Sequence, residues 1–489
     1  MITSLFALFV VVFVAAILVV AFHKPSRRTQ REPFRFANLW SFRGQVGRGA
    51  YATAGIVGFA LKHNLDRAVA TLVFHRPFGI FNYWIPPVDA VRISALSHDD
   101  AVFLSTMVAL SLVFIWVGLA MTLQRLRSAG LPLPLVALFF LPVLNLFFFL
   151  VLCVVPAADS ATGLPARESS LRRVIPESML GSAFAAIIPM AAIGAAIAYF
   201  GVQTVGVYGW GVFVALPFCL GLGAVMIYTF HRPRSIGGCI MVSLLAVGLV
   251  ALALFAVAVE GLICILMAIP IAAPLALLGG IIGYLIQRGR LVQPQTTSLM
   301  LVAVLFPAGF IGVESVAPVT APLYEVATSI TIKAPPSRIW ENLIAFPDLP
   351  TPNQWLFQAG VSHPIHATID GDGVGAVRAC LFSTGTFVER IDGWEKDRRL
   401  AFSIVAKSDA MQELSPYNIH PRHLDGYFDP VRAEFTLQAN PDGTTTLQGR
   451  SWYRNSMWPA VYWRLWSDRI LHDVHRSVFE HLKRLSETA

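Results

Sequence analysis

From Ile2 to Val316 the chain is a succession of apolar runs, each about 20 residues long and therefore long enough to cross a bilayer as a helix. The runs are Ile2–Phe22, Ala50–Phe74, Ala101–Leu123, Leu131–Val155, Leu180–Phe200, Gly209–Phe230, Gly238–Val259, Gly261–Ile286 and Leu299–Val316. After Tyr324 they stop. Of the 489 residues, 55% are hydrophobic and 13% are charged, too few charges for a water-soluble enzyme of this length. The bilayer is the expected main partner. Four of the five cysteines, Cys153, Cys219, Cys239 and Cys264, lie in apolar runs and Cys380 stands alone, so the spacing implies neither a disulfide framework nor a metal cluster. The net charge of +8 gathers in loops beside the runs, which suits anionic lipid head groups and not nucleic acid.

The basic loops decide orientation. No Lys or Arg precedes Ile2–Phe22, and Lys24, Arg27, Arg28 and Arg31 follow it, so this run is expected as an uncleaved anchor with its C-terminal side in the cytoplasm. Leu131–Val155 contains Pro132, Pro134, Pro142 and Asn145 and is open to two readings, eight spans or nine. As a re-entrant hairpin it leaves most basic clusters inside and carries the C-terminal domain to the outer, periplasmic face of a bacterial inner membrane. As a full crossing it makes that domain cytoplasmic. The first is the expected arrangement. Within Ala50–Phe74, Lys62, His63, Asn64, Asp66 and Arg67 form a polar cluster near bilayer depth, where each charge costs about 3 kcal/mol or more unless it faces a bundle interior. Lys62 and Asp66 are four apart on one helix face, so a neutralised clamp is available, and a polar pathway is the alternative. Glu260, between two runs, reads as a loop residue.

Two motifs, Trp40-Ser-Phe-Arg-Gly-Gln-Val-Gly-Arg and Thr122-Leu-Gln-Arg-Leu-Arg-Ser-Ala-Gly, flank the second and third runs. With them the stretch from Leu39 to Pro156 resembles the bacterial inner-membrane family called domain of unknown function 805. Gln124, Arg127 and Ser128 depart from that family's pattern, and the family has no assigned activity.

From Tyr324 the period changes. Val326, Thr328, Ile330 and Ile332 alternate, and Pro335-Pro-Ser-Arg-Ile-Trp then takes helical spacing. A second short helix is expected at Trp355. Strands are expected over 363–369, 375–383, 386–395, 399–407, 431–439 and 444–453, with Asp370-Gly-Asp-Gly, Thr384-Gly and Asn440-Pro-Asp-Gly as turns. A helix of about eight turns, begun at Pro459, closes the domain. Its apolar stripe changes sides near Ser467. Trp458, Tyr462, Leu465 and Trp466 lie on one side, and Ile470, Leu471, Val474, Val478, Leu482 and Leu485 nearly opposite. A sheet packed on the second half meets mainly Ala460, Trp463, Arg464 and Ser467 along the first, and a cavity is expected there. The aromatic side is expected to dock on lipid or on the spans.

The order strand, two helices, six strands, long helix, opened by Ile-x-Ile-x-Ala-Pro-Pro-x-x-Ile-Trp from Ile330 to Trp340, resembles the helix-grip domains of the START-like superfamily, also called polyketide cyclase or SRPBCC. The resemblance implies a curved antiparallel sheet gripping the C-terminal helix around an apolar ligand cavity, in proteins that carry or bind lipids and related molecules and in a minority catalyse. The whole is then an α-helical polytopic membrane domain followed by an α+β helix-grip domain, divided as residues 1–38 (anchor and basic loop), 39–160, 175–320 and 323–489.

Alternation places Phe387 and Ile391 on one strand face with Glu389, and Phe402 and Ile404 inward on the next strand. Glu389 is expected to pair with Arg378 or Arg450 or to touch a ligand. Trp355, Phe357, Trp463 and Ser467 complete the expected wall, under a polar loop with Tyr417, His420, His423 and Asp425. His-x-x-His-x-Asp offers metal-ligand or acid-base chemistry. The loop lacks a helical His-Glu-x-x-His frame or paired cysteines, so a lid is expected, with no cofactor and no metal. Three functions stay open: binding, transfer or sensing of an apolar small molecule or lipid; an enzyme using the same cavity; or transport through the spans at the Lys62–Asp66 cluster. Binding is the expected one. The sequence leaves the oligomeric state unknown.

Overall fold

The computed structural model describes residues 35–83, 98–141, 144–155, 157, 174–288, 293–316, 321–350, 352–417, 419–424 and 426–488. The expected anchor Ile2–Phe22 and Asp425 lie outside these. The chain divides into two compact units, one drawn from 1–197, 214–250 and 272–313, the other from 198–213, 251–271 and 314–489.

Helices α1 (Arg48–Leu72), α2 (His98–Ala129), α3 (Leu144–Val154), α4 (Met179–Tyr199), α5 (Leu216–Tyr228), α6 (Ile236–Ala256), α7 (Leu262–Arg288) and α8 (Gln293–Ser315) follow the apolar runs. Five helical stretches among the described residues are long and apolar enough to cross a membrane: Asp99–Ala129, Met179–Val205, Gly211–Tyr228, Ile236–Ala256 and Leu262–Gln287. They make this an integral membrane protein. They coincide with five of the nine expected runs, and Ile2–Phe22 lies outside the described residues. The polar cluster in α1 keeps it out of the set, and the apolar part of α8, Val302–Ser315, is short. The proline-rich run 131–155 is two pieces, a 3-10 helix over Leu133–Phe140 and then α3.

In the first unit, α5 and α7 approach backbone to backbone. A Cβ at Gly279 would collide with the Phe218 carbonyl, and one at Gly221 with the Ala276 carbonyl. Small residues let apolar helices gain dispersion contacts that lipid cannot outcompete. The two motifs around α1 and α2 also meet. Gln124 Nε2 donates to the Asn38 and Ser41 carbonyls at 2.6 Å each, and Arg127 donates to the Phe42 carbonyl. Buried Arg125 donates to the Leu152 carbonyl at 2.8 Å and to the Val155 carbonyl, closing the end of α3, where carbonyls lack helical partners.

Of the polar cluster on α1, only Lys62 and Asp66 face inward. Lys62 Nζ pairs with Asp66 Oδ2, and the Tyr83 hydroxyl donates to the same oxygen at 2.6 Å. His63 is half-buried, among Phe59, Phe78 and Tyr83. Asn64 and Arg67 are exposed, and Asn64 Nδ2 donates to its own helix at the Ala60 carbonyl.

The second unit holds β1 (Leu323–Ile332), α9 (Pro336–Ile344), α10 (Trp355–Gln358), β2 (Pro364–Asp370), β3 (Val377–Phe382), β4 (Gly385–Glu395), β5 (Arg399–Ala406), β6 (Phe428–Ala439), β7 (Thr445–Asn455) and α11 (Ala460–Glu487). All seven strands form one antiparallel sheet, in the order β1-β7-β6-β5-β4-β3-β2. The last strand returns to pair with the first, and α11 packs on β1, β2, β7 and α9. This is a helix-grip fold. Its core joins Ile332, Trp340, Leu343, Ile391, Leu400, Phe402, Phe435 and Leu447 to Val478, Phe479 and Leu482 from the second half of α11. Gly449 on β7 is required there, because a Cβ would press into the Phe479 and Phe435 rings at 2.6 and 3.0 Å.

Removing the carboxylate that neutralises Lys62 leaves a buried charge alone. Asp66→Ala is expected to reduce the yield of monodisperse full-length protein severalfold, and Asp66→Asn, which still accepts from Tyr83 and Lys62, to reduce it less. Fluorescence-detected size-exclusion chromatography measures both, and equal, undiminished yields would show that the pair contributes nothing.

Candidate functional site

Beneath the first half of α11 the second unit holds a partly open cavity of about 170 Å³. It exists because the apolar stripe of α11 ends there: Trp463, Ser467, Ile470 and Leu471 line one side, and the sheet residues Phe387, Phe402, Ile404, Phe435, Ser451 and Tyr453 the other. Ser467 Oγ accepts a hydrogen bond from Asn455 Nδ2 at 2.9 Å, which pins a small polar side chain at a helix position where a large apolar one would fill the space.

A buried ion pair is set into this largely apolar wall, which Arg432 also lines. Arg378 on β3 and Glu389 on β4 are direct cross-strand partners. Their side chains are joined as an ion pair, 2% and 6% exposed as residues. Arg378 Nε also donates to the Ile344 carbonyl at 3.1 Å, at the last residue of α9. The Phe346 and Phe402 rings flank the guanidinium at 5.4 and 5.6 Å. Burial pushes the Glu389 carboxyl above its ordinary value against the opposing pull of Arg378. Burial also works against the Arg378 charge, and Glu389 more than restores it.

His475, one turn beyond Leu471, faces the same cavity in neutral form. Its ring nitrogens lie 2.8 Å from Ser451 Oγ and 3.0 Å from Thr328 Oγ1. Burial, with the neighbouring His472, lowers its pKa to about 4.

Of the residues read from the sequence, Arg378, Phe387, Glu389, Phe402, Ile404, His423, Trp463 and Ser467 line the cavity. Ile391 belongs to the solid core, and Phe357 is buried in a neighbouring cluster with Ile263 and Met267. Trp355 is 55% exposed, against Trp466 at 6.5 Å, and Tyr417 is also exposed. His420 is exposed near Asp409, 3.4 Å away, so the His-x-x-His spacing does not bring His420 to His423. The aromatic side of α11 divides as well. Trp466 lines the cavity, Trp458 is buried, the Tyr462 hydroxyl donates to the Met267 carbonyl on α7, and Leu465 stays 66% exposed.

Sequence reasoning missed His475, Tyr453 and Ser451, although alternation along β7 puts the last two on one face. It also missed a second set of polar residues. His423 sits with Cys264, Glu413 and Glu260, and Glu260, read as a loop residue, is in a loop and yet buried. The Tyr208 hydroxyl donates to Glu260 Oε1 at 2.8 Å. Burial pushes the Glu413 carboxyl and the Tyr208 hydroxyl upward, and Glu260 adds to the second shift.

No known protein family matches the chain, and no curated protein matches it. Solved structures to which it is similar include a norcoclaurine synthase point mutant from Thalictrum flavum, in complex with a transition state analogue (10% identity, 35% of this chain and 97% of that one, TM-score 0.23). Others are a protein from Chromobacterium violaceum (14%, 33% and 96%, 0.22) and the Aha1 dimer from Colwellia psychrerythraea (15%, 34% and 96%, 0.20). The helix-grip assignment rests on the strand order and the gripped helix described above.

Two outcomes are expected from the buried charges. Arg378→Met leaves Glu389 unpaired and is expected to cost about 3–5 kcal/mol, whereas the double variant with Glu389→Met regains most of that loss; denaturant titration of the single and double variants checks the difference. For His475, the unfolded state binds the proton at about 6.5 and the folded state at about 4. Its contribution is therefore complete above about pH 6.5 and is lost as pH falls toward about 4. His475→Gln is expected to flatten that stretch of the Tm-against-pH curve.

Proposed function

We propose that the second unit binds an apolar small molecule or lipid within the helix-grip cavity, and that the membrane helices hold it at the bilayer for transfer or sensing of that molecule. The observation that carries this reading is the cavity itself: a partly open space of about 170 Å³, walled mainly by aromatic and aliphatic side chains, with a neutralised ion pair set into the wall. A dry apolar cavity of about 150 Å³ takes up benzene, so this volume suits a ring system or a short acyl segment. Arg378 and Glu389 satisfy one another and supply a polar anchor for one end of such a molecule. Binding is favoured over turnover because the acid in the wall is already engaged by its guanidinium partner.

The stretch from Leu39 to Pro156 is in this reading a membrane domain similar to the family of unknown function 805 on its two sequence motifs alone; the contacts that join those motifs run through Gln124 and Arg127, residues that depart from the family's pattern. A bacterial inner membrane is the setting that resemblance favours. The basic loops favour the helix-grip domain on the outer face.

The test is extraction of the full-length protein, purified in detergent, followed by mass spectrometry of the released small molecules. A hydrophobic compound is expected at a substantial fraction of one per chain. Ser467→Phe, which places a ring in the cavity, is expected to reduce its recovery about tenfold while the protein remains monodisperse. The same recovery from both proteins, or none from either together with no quenching of the Trp463 and Trp466 fluorescence by added fatty acid or polyaromatic probes, would overturn the reading.

A further inference from the structure

Glu260 lies in the loop between α6 and α7, Cys264 in the first turn of α7, Glu413 in the segment after β5 and His423 on a 3-10 turn, yet all four meet in the second unit. One donor atom each from Glu260, Cys264 and His423 lies within 4.8 Å of the others. Cys264 Sγ is 3.0 Å from His423 Nε2, and Glu260 Oε2 is 3.3 Å from His423 Nδ1. Glu413 Oε1 contacts Cys264 Sγ and lies 3.6 Å from His423 Nε2.

This set is built, and it is short of positive charge. Glu260, Glu413 and His423 are each more than nine-tenths buried. Glu260 Oε2 and Glu413 Oε2 are buried without a hydrogen-bond partner, an arrangement that costs several kcal/mol for a carboxylate left to itself. The backbone is shaped for the approach: Gly261 has no side chain where a Cβ would collide with Glu413, and the Leu262 N–H donates to the Leu414 carbonyl at 3.1 Å to hold the two segments together. Two carboxylates and a thiol share a single imidazole. Carboxylate, thiol and imidazole together are a borderline donor set that suits zinc better than calcium or magnesium, which take oxygen ligands.

We propose that Glu260, Cys264 and His423, with Glu413 as the fourth ligand, bind a zinc-class divalent cation. The ion neutralises the carboxylates, takes the thiol as its thiolate and ties the loop bearing His423 to the start of α7. Tyr208 is its positioning residue, fixing Glu260 through the 2.8 Å hydrogen bond. Because His423 also lines the cavity, the ion would set one part of the wall, whatever the cavity holds.

The test uses the full-length protein in detergent, stripped with a chelator, and the metal alone. On adding zinc, about one ion per chain and a raised Tm are expected. Cobalt in its place is expected to give a thiolate-to-cobalt charge-transfer band. Cys264→Ser should abolish the band, and His423→Ala should weaken zinc binding at least tenfold. Tyr208→Phe should weaken it about ten- to hundredfold. His366→Gln, at a half-buried histidine beside Asp348, should change nothing. Should Cys264→Ser fail to fold, the wild-type band and stoichiometry still decide. Substoichiometric zinc with no such band, or binding unchanged in Cys264→Ser and His423→Ala, overturns the site. None of these readouts depends on a ligand in the cavity, so the metal site and the apolar-ligand reading fail separately.

Discussion

The helix-grip domain depends on an interaction that α11 can make along only half of its length. Val478, Phe479 and Leu482 lock into the sheet residues Phe435 and Leu447, and Gly449 gives up its side chain so that the Phe479 ring can enter. Apolar area removed from water there contributes about 25 cal/mol per Å². About three turns earlier the helix turns a different face to the sheet, and Ser467, held by Asn455, replaces what would otherwise be another core side chain. The cavity is the geometrical remainder of a helix whose apolar stripe is discontinuous, closed at one end by core and walled by the same strands.

Buried charge follows one logic in both units. Arg125 and Arg378 each send a guanidinium to the carbonyls at the end of a helix, where the backbone lacks partners and the helix dipole is negative. The planar fork of arginine serves two acceptors at once, which lysine does not do. Lys62 is matched instead to a single carboxylate, with Tyr83 completing it. In each case the charge stays buried because it organises backbone or is neutralised; Glu260 and Glu413 instead share the single imidazole of His423, and one oxygen of each is buried without a hydrogen bond, which sets them apart chemically.

What the sequence determined by itself is local. Alternation and turn residues placed the seven strands, helical spacing placed the helix after Pro335, and the phase change in the last helix foretold an open space beside Trp463 and Ser467, because side-chain direction follows from backbone period alone. Seven of the expected cavity residues, on strands and on the last helix, line it for that reason, whereas His423 reaches it from an irregular loop. Cross-strand pairing of Arg378 with Glu389 was legible as one of two choices, since both sit in phase with core residues on neighbouring strands. The breaks in the apolar run 131–155 were legible from proline.

Only the tertiary structure decided which faces meet. Glu260 and His423 are 163 positions apart, and no period relates a loop between two apolar helices to a turn between two strands. The same is true of His420, which shares a short motif with His423 yet leaves it, because an irregular loop has no fixed side-chain direction. The aromatic side of α11 was likewise one face by helical spacing, but Trp466 met the cavity, Tyr462 met α7 and Leu465 met neither core. Helical spacing fixes the angle at which a side chain leaves its axis; what stands at that angle is set by the packing of segments distant in sequence.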